Sequence, residues 1–133
     1  MKEGQKIDPV LLTSKWTELL KFLDEVIENG NKVRPIRFLI RHIIENGYDT
    51  KLVPGQSHFD LLISVPDNSI INYDKTLEVR YDELMQIARF RYSDKHIKER
   101  DSNADAVWED QCQATEINDL FDHFVEKILD GTV

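Results

Sequence analysis

The feature that most constrains this chain is a change of period at Gly47. Before it, apolar residues recur every three or four positions; after it, they alternate. A chain that makes this switch has to pack helices against a sheet through a shared core. Trp16, Leu19, Leu20, Leu23, Val26 and Ile27 form one helical stripe behind a candidate cap at Thr13 or Ser14, and Gly30 supplies the stop. Pro35 suits the first turn of a second helix that buries Ile36, Leu39, Ile40, Ile43 and Ile44 and ends at Asn46 and Gly47. A last helix starts near Thr115, carries Ile117, Leu120, Phe121, Phe124, Val125, Ile128 and Leu129, and stops at Gly131.

The alternating part predicts strands. Tyr48, Thr50 and Leu52 share one side, and Pro54-Gly55 reads as a turn. Phe59, Leu61, Ile63 and Val65 then oppose His58, Asp60, Leu62 and Ser64. Pro66-Asp67-Asn68 marks another turn, and Ile70 and Ile71 begin a further extended segment. Leu77, Val79 and Tyr81 alternate with Thr76, Glu78 and Arg80. Asp82 reads as the cap of a helix carrying Leu84, Met85, Ile87, Ala88 and Phe90, and Ala106-Val107-Trp108 as a short strand. The expected fold is α/β or α+β: a single layer of three to four strands flanked by three to four helices, in the order α-α-β-β-β-α-(β)-α. Residues 1–133 read as a single domain, with 1–9 a loose arm and 93–105 a mobile charged loop.

Charge narrows the function classes. The chain of 133 residues carries a formal net charge of -8, which disfavours phosphate-driven nucleic-acid binding and favours a basic protein partner. No apolar run reaches the ~20 residues of a membrane helix, and the first residues lack a signal-peptide core, so no membrane association is expected. The single cysteine, Cys112, suits a reducing cytoplasm. His42, His58, His96 and His123 have no paired metal spacing. Asp119 and His123 lie at i, i+4 but lack a third ligand. Arg89-Phe90-Arg91-Tyr92 interleaves basic and aromatic residues as a nucleic-acid platform would; a frayed helix end with Phe90 buried is the favoured reading. Arg34, Arg37 and Arg41 form the clearest basic stripe, and Glu116, Asp119, Asp122 and Glu126 an acidic outer face on the last helix.

One pattern hints at chemistry. Asp60 on one strand is followed, after 17 intervening residues, by Glu78-Val79-Arg80 on the next. With Gly47-Tyr48-Asp49 behind a helix and Phe59-Asp60-Leu61-Leu62-Ile63, this resembles the PD-(D/E)XK, or restriction-endonuclease-like, superfamily over about residues 33–92. The resemblance implies Mg²⁺ held by Asp60 and Glu78, with Arg80 in the place of the family's lysine. Convergent carboxylates can hold such an ion, which polarises a phosphodiester and activates water. Arginine holds phosphate but stays protonated and lacks lysine's tunable ammonium, and Phe59 stands where proline is usual. The bland alternative makes Glu78 and Arg80 ordinary cross-strand charges.

Two functions follow as expectations. The first is a small, acidic, non-catalytic interaction or regulatory protein that needs no cofactor. It binds or inhibits a basic, nucleic-acid-handling partner through Glu116, Asp119, Asp122 and Glu126. The second is a Mg²⁺-dependent nuclease-like phosphodiesterase, intact or degenerate, built on Asp60, Glu78 and Arg80. An exposed strand edge or a surplus of apolar helix face would also allow a homodimer.

Overall fold

The computed structural model describes residues 6–57, 60–66, 70–71, 73–94 and 106–130. Within these the chain is an α+β protein with three α-helices and a five-stranded antiparallel sheet. Helices α1 (Pro9–Glu28) and α2 (Arg34–Glu45) come first. Then follow β1 (Val53–Ser57), β2 (Asp60–Ser64), β3 (Lys75–Asp82), β4 (Ile87–Asp94) and β5 (Ala106–Gln113). Helix α3 (Ile117–His123) continues into a wider turn over Phe124–Ile128, closed by Leu129 N–H donating to the Phe124 carbonyl at 3.1 Å. The strands form a meander in chain order, each antiparallel to the next.

All three helices contribute to one core against one sheet face. Trp16 and Leu23 of α1, Ile36, Leu39, Ile40 and Ile43 of α2, and Ile117 and Phe121 of α3 are buried together. They meet Leu61, Ile63, Leu77, Val79, Ala88, Phe90 and Tyr92 from the strands. Trp16 is the anchor: it is fully buried, and its indole N–H donates to the Leu52 carbonyl at 2.9 Å. That bond ties α1 to the segment leading into β1 and satisfies a buried polar pair.

Several expectations are corrected. The predicted order α-α-β-β-β-α-(β)-α becomes α-α-β-β-β-β-β-α, with five strands rather than three or four. The helix expected after Asp82 is instead a hairpin turn followed by β4. Asp82 does cap an amide three residues on, accepting from Met85 N–H at 3.1 Å, as an N-cap would. The chain then reverses, with Gln86 in the left-handed region at φ 54°, and Ile87–Asp94 pairs with β3 along its whole length. The expected strand at Tyr48–Leu52 is a short 3₁₀ turn, and Pro54-Gly55 lies inside β1, not in a turn. Gly55 has no positive φ and packs beside Leu62 of β2, while Pro54 sits on an edge strand that has no outer partner to lose.

The first helix begins earlier than its predicted cap. Asp8 caps it by accepting from Val10 N–H, and Pro9 is its first residue. Thr13 instead sits inside the helix, its hydroxyl donating to the Val10 carbonyl at 2.8 Å. The arm expected over 1–9 is therefore structured from Lys6, which bridges Ile70, onward; residues 1–5 lie outside the described set. Of the loop expected over 93–105, Ser93 and Asp94 belong to β4, and 95–105 lie outside the described residues. His58, Phe59, Asp67, Asn68, His96 and Gly131 also lie outside them.

Candidate functional site

The face of the sheet turned away from the helices is polar, and its charges come from alternate positions on adjacent strands. On β3, Leu77 and Val79 are buried in the core, so Glu78 and Arg80 take the opposite face. One step beyond the Leu61–Val79 pair, Asp60 stands opposite Arg80. On the other side of β3, Arg80 pairs with Arg89 and Glu78 with Arg91. Beyond them, Arg89 pairs with Gln111 and Arg91 with Glu109 of β5. Two arginines directly opposite each other repel, and each is neutralised by its own carboxylate.

The three residues of the family-like motif do come together. Arg80 Nε donates to Asp60 Oδ2 at 3.1 Å, and an Arg80 terminal nitrogen donates to Glu78 Oε1 at 3.1 Å. The carboxylate of Asp60 foremost, then that of Glu78, raises the Arg80 pKa further above its already high ordinary value. Asp82 accepts from Arg89 at 3.2 Å. The Met85 amide foremost, joined by Arg89, holds its carboxyl below the usual range against the opposing effect of desolvation. Arg91 Nε lies 3.3 Å from Glu109 Oε1 but is poorly aimed, and stays a buried donor without a hydrogen-bond partner. A groove of about 350 Å³ runs between these side chains, lined by Glu78, Arg80, Arg89, Arg91, Glu109 and Gln111 among others.

Chemically this is an ion-paired surface. The Arg80 guanidinium occupies the approach between Asp60 and Glu78 where a metal ion would have to sit. No group of three His, Cys, Asp or Glu among the described residues could hold a metal ion. Arg80, bonded to both carboxylates, competes with any cation for their oxygens. Arg89 and Arg91 were legible only as part of a basic-aromatic tetrad. The structure separates its two halves: Phe90 and Tyr92 turn into the core, and the arginines turn outward. The aromatic rings are thus unavailable for stacking on bases. The signal that would have found this is plain alternation, Arg-Phe-Arg-Tyr, continuing from Ile87.

A second charged region forms where β5 meets α3. Residues 106–130 hold seven carboxylates against Lys127, so they carry -6 of the chain's -8. Glu116, Asp119, Asp122 and Glu126 are all exposed. Asp122 is not free: it shares a 2.7 Å hydrogen bond with His42 Nε2. Asn46 donates to the other ring nitrogen, which leaves Nε2 as the donor to Asp122. Burial first, and then the negative charges of Glu116, Asp110 and Asp119, push the Cys112 thiol up to about 11. The basic stripe of α2 is also engaged, Arg37 with Asp24 and Arg41 with Glu45. Asp119 and His123 are exposed, and the His123 ring lies against Trp108. No family model matches this chain, and no curated protein or solved structure matches it either.

Proposed function

We propose that this protein is a non-catalytic interaction module of the cytoplasm whose acidic β5–α3 surface binds a basic partner, such as a nucleic-acid-handling protein. The observation that carries this reading is the charge of residues 106–130, which hold -6 of the net -8 with Glu116, Asp119, Asp122 and Glu126 all exposed. Like charges at helical spacings of three and four cost stability, and a cationic surface docking on them relieves that repulsion. The test is binding to polylysine by calorimetry across about 50 to 300 mM salt, with wild type and the double variant Glu116→Lys/Asp119→Lys. Affinity should fall steeply with salt and with the reversal. Indifference to both would remove the reading. Asp122 is avoided in this test because its bond to His42 also serves the fold.

The convergence of Asp60, Glu78 and Arg80 on one sheet face favours a second reading, a degenerate or intact phosphodiesterase of the restriction-endonuclease-like kind. With Arg80 already paired to both carboxylates, no catalytic step is assigned to these residues. An assay on single- and double-stranded DNA and RNA with added Mg²⁺ separates the two readings. Cleavage that is lost in Glu78→Ala would replace the binding-only reading; no cleavage leaves the ion-paired face as structure.

A further inference from the structure

We propose that the free edge of β5 is a strand-addition site for an extended, lysine- or arginine-rich segment of a protein partner, which lengthens the sheet from five strands to six. The charge of the occupant rests on the acidic-surface reading above; the edge itself does not.

β5 pairs with β4 on one side and is the last strand of the sheet. The phase of its hydrogen bonds can be fixed. Ala114 N–H donates to the Gln86 carbonyl at 3.0 Å, one residue beyond the Ile87–Gln113 pair, so that position is a hydrogen-bonded pair. Antiparallel ladders alternate, so Cys112, Asp110 and Trp108 turn their backbone groups toward β4. Glu109, Gln111 and Gln113 then turn theirs outward. An independent contact agrees: Gln111 N–H donates to the side-chain Oδ1 of Asp110 at 2.8 Å, which an amide engaged with β4 would not do. Among the described residues no backbone group meets these outward donors and acceptors.

The two edges of the sheet differ. β1 is five residues long and contains Pro54, which offers no amide. β5 is eight residues long, with neither proline nor lysine. Natural sheets blunt such edges because they template pairing with other chains. Here the protection is the Asp110 carboxylate parked on one edge amide, with Glu109 beside it in the chain. That protection is selective. Two copies of this chain, each at -8, repel, whereas a cationic strand is attracted. Its lysine or arginine can draw the Asp110 carboxylate off Gln111, and its own carbonyl then takes the amide. Main-chain bonds supply affinity and the side chains supply selectivity, as in other strand-addition complexes.

The probe is an octapeptide alternating lysine and valine, compared with the same peptide N-methylated on alternate amides. ¹⁵N spectra and amide exchange report on β5. The unmodified peptide should slow exchange at Glu109 and Gln111 at least tenfold, and the methylated one should bind at least tenfold more weakly. Gln111→Pro deletes an outward amide without breaking a bond to β4, so its melting temperature should stay near wild type while binding is lost. Equal, salt-sensitive binding of both peptides would overturn strand addition yet leave the acidic-surface reading standing. Binding of neither at low salt would remove both. A wild-type dimer in sedimentation that Gln111→Pro converts to monomer would make a second copy the occupant and overturn the proposal.

Discussion

Trp16 illustrates how one side chain fixes the geometry of several elements. Its ring is enclosed by the core and its N–H meets the Leu52 carbonyl. Trp16→Phe keeps most of the apolar contact but leaves that carbonyl unpaired, so it should cost about 1–3 kcal/mol in denaturant unfolding. Cys112 makes a different prediction. Its thiol is pushed up from 9.0 to about 11, so at pH 8 the thiolate fraction falls roughly a hundredfold and alkylation slows in proportion. Tyr92, buried and facing Asp94, is likewise raised from 10.0 to about 12. Both groups hold their protons more tightly folded than unfolded. The stability they contribute is fully present below the unfolded pKa values and is lost as pH rises through the folded ones. Denaturation midpoints should therefore fall from about pH 9 upward, and Cys112→Ser should flatten the first part of that fall. A midpoint flat to pH 11 would contradict the burial of both groups.

At the scale of elements, the β3–β4 hairpin is the most revealing. Gln86 adopts φ 54° without being glycine, a conformation that disfavours a Cβ. Gln86→Gly should stabilise the protein by about 0.5–1 kcal/mol, read as a shift in thermal midpoint; destabilisation would mean that the Gln86 side chain makes a contact worth more than the strain. The same hairpin shows why part of the fold was illegible. The Asp82 cap is real, but a side chain accepting an amide three residues on serves a helix start and a turn equally. Leu84 and Met85 looked like a buried helical face and are exposed at the turn. The three long helical stripes and the alternation around Asp60 and Glu78 were readable because burial enforces their period. β5 was half-readable: only Ala106, Val107 and Trp108 are apolar before Glu109, Asp110 and Gln111, and an edge strand faces solvent enough to carry that many polar groups. The Asp60–Glu78–Arg80 cluster was legible as a face but not as a closed ion pair, since alternation gives the side of a strand and not the reach of a guanidinium.

At the scale of the molecule, helices cover one sheet face, and charge is concentrated at the end of the chain. Glu116, Asp119, Asp122 and Glu126 follow one another at helical spacings of three and four, so they repel. Asp119→Lys should raise the melting temperature by about 1 °C at low salt while weakening binding to a basic partner. Stability and affinity moving in opposite directions would mark the cost as one kept for recognition; a parallel loss of both would assign Asp119 to the fold. Pro54 has its own effect at this scale. The missing amide weakens the β1 margin as a pairing template, so the proposed strand addition favours the β5 edge. One basic segment per chain is therefore the expected stoichiometry of the proposed complex, to be read by calorimetry; two per chain would place a second site on β1.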